Sequence, residues 1–155
     1  MRCCQMTAVG GPEVLQPVDL PQPEPGPGEV RVRLAAAGVN PVDTKVRANG
    51  LFDPSAEPPA ILGCDGAGEV DAVGEGVDSV RAGQRVLLMN GGIGLAPGTY
   101  AEYTVLDARF VTPIPEGVDD REAAAMPLVA LTAWEALFDR AGLQAGEWVL
   151  IHAGA

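Results

Sequence analysis

A chain that is mainly β, with helices gathered toward its end, is what this sequence specifies. Three observations carry that expectation. Short apolar runs alternate with polar residues at strand period. Turn signals recur at close intervals, with 20 Gly and 14 Pro among 155 residues. After Asp119 the apolar residues switch to helical spacing. Short strands separated by such turns predict a small β-barrel or sandwich. With 47% hydrophobic residues, the chain has enough apolar surface to build a core.

In order, residues 2–9 read as a strand. Gly10-Gly11-Pro12 turns the chain, and Val14-Leu15 starts a return strand. Prolines at 17, 21, 23, 25 and 27 then make an extended surface loop, because proline removes a ladder donor. A PxxP ligand is the alternative reading of this run. Glu29 to Ala36 alternates cleanly, with Val30, Val32 and Leu34 on one face and Arg31 and Arg33 on the other. Asn40-Pro41 opens a short helix to about Ala48: Asn suits the N-cap, Pro the first helical position, and Asp43 the N-terminal dipole. Residues 51–60 form a Pro-rich loop. Further strands are expected over Glu69–Val73, Arg85–Met89 and Tyr100–Leu106, with a Gly-rich loop over 90–98. Asp119 caps a helix to Met126. Pro127 starts a second helix to Ala141, in which Leu131, Trp134 and Phe138 recur on one face until Gly142 stops it. Trp148-Val149-Leu150-Ile151 reads as a buried parallel strand.

A formal net charge of −11 repels phosphate, and no run of five Lys/Arg offsets it, so neither nucleic acid nor an anionic membrane surface is an expected partner. The three cysteines are odd in number, no C-x-x-C occurs, and His152 is the sole histidine. A disulfide framework and a zinc site are therefore not expected, and reduced thiols point to the cytoplasm. No apolar signal segment or transmembrane run is seen.

Several segments, in this order and spacing, carry a resemblance: Gly10-Gly11-Pro12-Glu13-Val14-Leu15, Pro25-Gly26-Pro27-Gly28-Glu29-Val30, Ala37-Gly38-Val39-Asn40-Pro41-Val42-Asp43, Gly63-Cys64-Asp65-Gly66-Ala67-Gly68, Tyr100-Ala101-Glu102-Tyr103, Leu131-Thr132-Ala133 and Val149-Leu150-Ile151-His152. Together they resemble the zinc-independent quinone oxidoreductase branch of the medium-chain dehydrogenase/reductase superfamily. The resemblance implies a GroES-like, partly open β-barrel over 1–125. It implies a bridging helix and the first strand of a truncated Rossmann domain over 126–155. In the zinc-dependent branch, the positions matching Asn40, Cys64 and Leu128 are metal ligands. Here an amide, a thiol and an aliphatic side chain stand in those places, so no metal site is expected.

The activity implied is reduction of quinones or α,β-unsaturated ketones by NADPH. If the chain ends at Ala155, Trp134, Phe138 and Trp148 lose the sheet that would cover them, and self-association to a homo-oligomer is expected. The Gly-rich phosphate loop that follows the first Rossmann strand is not reached before Ala155, so this chain alone is expected to bind NADPH poorly. The rival reading is a GroES-like binding or assembly module without catalysis.

Asn40 is the candidate catalytic residue and, with Lys45 and Thr132, a candidate cofactor contact. The residues themselves leave other roles open. Asn40 also reads as a simple N-cap, and Thr132 as a helical threonine bonded to an earlier carbonyl. Lys45, where the family often has Tyr, also reads as a solvated surface lysine. Asp43 and Asp65 resemble the carboxylates that stand behind the metal ligands in the superfamily; without a metal they are expected to hold the loop between strand and helix. Gly63-x-x-Gly66-x-Gly68 does not read as a nucleotide loop, since it leads into a strand; it reads as close backbone packing. Tyr100 and Tyr103 read as proton-donor candidates, with cross-strand packing as the expected role.

Overall fold

The computed structural model describes residues 1–50, 57–90 and 98–152. The expected Pro-rich loop at 51–60 and Gly-rich loop at 90–98 lie largely outside these residues, as do the last three positions.

Two antiparallel sheets make the body. The first contains β1 (Arg2–Met6), β2 (Leu15–Asp19) and β4 (Ala60–Ile61) in the order β2-β1-β4. The second contains β3 (Glu29–Ala37), β5 (Asp65–Val73), β6 (Arg85–Met89), β7 (Tyr103–Asp107) and β8 (Val111–Pro113) in the order β7-β3-β5-β6-β8. The sheets do not close into a barrel, which agrees with the partly open form expected. A bridge between Cys3 and Ala101 links them. Three helices follow the expected places: α1 (Pro41–Asn49), α2 (Asp120–Ala125) and α3 (Pro127–Trp134). No helix among the described residues is long and apolar enough to cross a membrane.

The alternation in β3 does what its pattern requires. Val30 and Val32 are fully buried and pack with Val70, Val86, Leu88 and Leu106 from neighbouring strands. Each such side chain contributes roughly 1.5–3 kcal/mol through burial. On the opposite face Arg31 pairs with Asp71 at 2.6 Å and Glu24 at 2.8 Å. A smaller cluster of Met6, Val46 and Leu62 fastens α1 to the first sheet. Asp119 accepts from the N–H groups of Arg121 (2.8 Å) and Glu122 (2.9 Å), as an N-cap should.

Several boundaries move. β2 runs through Pro17, which pairs with Cys4, because the strand is an edge and one side of it needs no donor. β5 starts at Asp65, so Gly66 and Gly68 lie inside a strand. β7 starts at Tyr103, because Tyr100 is held by the Leu62 carbonyl (3.0 Å) and by the Cys4 N–H (2.7 Å) nearer the first sheet. β4 and β8, two and three residues long, carry too little pattern to be anticipated. The second helix changes at Glu135 into a π-helical turn through Arg140, where a Glu135–Arg140 pair five residues apart spans the wider turn.

The largest correction concerns Trp148–Ile151. These residues form no strand. A strand exists through its ladder, and no described segment pairs with this one. Trp148 is 98% exposed, and Leu131, Trp134 and Phe138, which recur at helical spacing, are exposed as well.

Candidate functional site

Asn40 sits at the junction of β3 and α1, with extended backbone (φ −113°, ψ 153°) that suits an N-cap. Asn40 and Asp43 have capping-box placement, but its strong leg runs through the backbone: the Asn40 N–H donates to Asp43 Oδ2 at 2.7 Å. The Asp43 N–H donates to the Asn40 carbonyl at 3.0 Å. The side-chain amide goes elsewhere, with Nδ2 donating to Asp65 Oδ2 at 2.9 Å across the sheet-to-helix gap. Asn40 is therefore more than a cap of its own helix.

Asp65 opens β5 and is 1% exposed. Its other oxygen, Oδ1, accepts from the Leu128 N–H at 3.1 Å in the first turn of α3. Burial pushes the Asp65 carboxyl above its ordinary pKa; the Asn40 and Leu128 hydrogen bonds pull it back, and Asp43 adds to the rise. Cys64 beside it is buried and free, its thiol pushed up to about 11 by burial and then by Asp43 and Asp65.

Tyr100 completes the group, and sequence reasoning missed its role. Its hydroxyl donates to Asp43 Oδ2 at 2.9 Å, while its ring packs on the Met6–Val46–Leu62 cluster. Burial and then Asp43 raise its pKa, so the hydroxyl stays a donor. The available signal was general: a half-buried tyrosine seeks a partner for its O–H. Tyr103 has the expected packing place in β7, with the Arg31 guanidinium 5.9 Å from its ring.

Thr132 is exposed on α3, and its hydroxyl donates to the Leu128 carbonyl at 2.7 Å, the back-bond open to a helical threonine. Its oxygen is left only to accept. Lys45 is exposed on α1 and makes no ion pair among the described residues. Asn40 and Thr132 are thus linked through Asp65 and Leu128, and Lys45 is not part of that chain of bonds.

Among the described residues, no three His, Cys, Asp or Glu side chains gather in a metal-holding arrangement. A mostly apolar hollow of about 620 Å³ lies between α3 and β6–β8, walled by residues including Leu87, Met89, Phe110, Val111 and Leu131. Asn40, Lys45 and Thr132 do not line it.

The match to known proteins decides the family. Residues 26–116 match the alcohol dehydrogenase GroES-like domain. The chain belongs to that family. It is a quinone oxidoreductase-like N-terminal part of the medium-chain dehydrogenase/reductase superfamily. A quinone oxidoreductase of Pseudomonas aeruginosa is 43% identical over 151 residues, 97% of this chain and 45% of that protein. The rat quinone oxidoreductase is 36% identical over 153 residues, again 45% of its length. The solved quinone oxidoreductase of Coxiella burnetii superposes with a TM-score of 0.88 at 34% identity, covering 100% of this chain and 49% of that one. A mycobacterial relative solved with NADPH has a TM-score of 0.85 at 36% identity, covering 100% of this chain and 46% of that one. This GroES-like chain spans about half the length of the curated quinone oxidoreductases it matches.

Proposed function

We propose that the protein of which this chain forms the GroES-like part is an oxidoreductase that uses NADPH to reduce quinones or α,β-unsaturated ketones without a metal. The observation that carries the reading is the Asn40 amide, held by a buried carboxylate and still in possession of a second N–H. Thr132 retains an oxygen that can only accept, which suits the NH₂ of a nicotinamide carboxamide, and the one N–H left on Asn40 is reserved for the substrate carbonyl.

When bound, NADPH supplies the hydride. A carbonyl oxygen of the quinone or enone then gains negative charge, and a fixed Asn40 N–H aimed at it lowers the barrier. Lys45 is assigned to the outer edge of the cofactor site, where its charge faces solvent. Residues 126–155 are assigned to the start of the cofactor-binding half and 1–125 to the catalytic half. A homo-oligomer is the proposed assembly, and the printed names of the relatives support a small-molecule substrate. The cytoplasm is the proposed location.

The test is NADPH oxidation by the full-length gene product with a quinone and with an enone. Asn40→Ala is expected to lower kcat about a hundredfold or more per folded molecule, the range for loss of one oxyanion donor. If Asn40→Ala lowers stability while turnover per folded molecule stays at the parent value, Asn40 is only a cap. If the parent protein shows no NADPH-dependent turnover, the binding-module reading replaces this one.

A further inference from the structure

The two candidate residues approach one another through a single buried side chain. The Thr132 hydroxyl donates to the Leu128 carbonyl, and the Leu128 N–H donates to Asp65 Oδ1. Asp65 Oδ2 accepts from Asn40 Nδ2. A carboxylate with one oxygen on each neighbour can hold both at once, because an ionised carboxylate only accepts. The surroundings leave it little freedom. Gly38 donates to the Asp65 carbonyl at 3.0 Å, and a Cβ on Gly38 would come within 2.9 Å of the Asp65 Cβ and 2.6 Å of the Ala124 carbonyl oxygen. β3, β5, α2 and α3 therefore meet around this one residue.

The geometry points to Asp65 as the positioning residue of the site, fixing the Asn40 amide and the Thr132-bearing turn of α3 relative to each other. This rests on the proposed roles of Asn40 and Thr132. Asp65 touches no reacting atom; it acts by orienting two groups that do. A side-chain amide at this position cannot replace it. Its NH₂ end would meet the Asn40 NH₂ as donor against donor unless the Asn40 amide turned over, and that turn would withdraw the Asn40 N–H groups from their present direction.

The pattern predicts a spectroscopic signature. The ionisable groups that face Asp65 are Asp43 on α1 and Cys64 next to it, while β6, α2 and α3 bring Met89, Ala124 and Leu128, which do not titrate. In two-dimensional amide NMR of this chain, the Asn40 side-chain NH₂ and the Leu128 N–H should follow one shared titration, with its midpoint above the ordinary carboxylate value. Asp43→Asn should leave that shared titration in place, since Asp43 bonds the Asn40 backbone N–H and Tyr100 instead. Two unrelated midpoints, or a shared one lost with Asp43, would overturn the proposal.

In the full-length protein, Asp65→Asn should lower kcat by about tenfold to a hundredfold, the cost of misplacing a group by about 1 Å, with KM for NADPH nearly unchanged. If Asp65→Asn keeps kcat within about twofold of the parent while Asn40→Ala loses it, Asp65 does not position the site and the role of Asn40 stands. If Asn40→Ala is itself silent, the functional reading fails, and the wild-type titration still decides the coupling through Asp65.

Discussion

Gly68 offers a measure of how closely two central strands approach. It lies in β5 opposite Leu34 of β3, where the register slips between Leu34 and Ala36. A Cβ at Gly68 would stand 2.0 Å from the Arg33 carbonyl oxygen and 2.9 Å from the Leu34 Cα. Ordinary carbon–oxygen approach is about 3.3 Å, so one strand must retreat by more than 1 Å. β3 is laddered on both sides, to β5 and β7, so its retreat disturbs two ladders. Two weakened ladder bonds at about 1 kcal/mol each, plus about 1–2 kcal/mol of overpacking, make Gly68→Ala cost about 3 kcal/mol or more. Gly66 supplies the contrast: its added Cβ meets the Leu34 side chain at 2.7 Å and Thr99 Cγ2 at 3.2 Å, atoms that can rotate away. Gly66→Ala should cost about 1 kcal/mol. Urea unfolding followed by far-UV circular dichroism suits the test, because Trp134 and Trp148 are already 59% and 98% exposed and report folding poorly. If Gly68→Ala stays within about 0.5 kcal/mol of the parent, or the two variants rank the other way, the close approach of β3 and β5 is wrong.

Two further outcomes follow from the buried carboxylates. Tyr100→Phe keeps the ring but removes the donor to Asp43 Oδ2, and should cost about 1.5–3 kcal/mol in the same unfolding assay; less than about 0.5 kcal/mol would mean that the Asn40 N–H alone satisfies that oxygen. The thiols should react unequally. Cys3 and Cys64 are buried with raised pKa, and at pH 8 only about a thousandth of Cys64 is thiolate, whereas Cys4 is partly exposed. A thiol reagent should therefore label one cysteine quickly and the other two on unfolding. Three equal rates would contradict the burial.

Much of the framework was legible in the chain itself because its signals act over a few residues. The period of Val30, Val32 and Leu34 makes a strand wherever one face meets a core. Asn40-Pro41 and Asp119 start helices through bonds to neighbours three residues away or fewer. The segments around Asn40 and Gly63 were recognisable as a pair. What only the tertiary structure decided lies in contacts between distant residues. Asn40 meets Asp65 across 25 positions, Tyr100 meets Asp43 across 57, and Leu128 meets Asp65 across 63. Local pattern assigns Asn40 to its own helix; the buried carboxylate turns its side chain toward another element. The short strands β4 and β8 likewise exist through their partners.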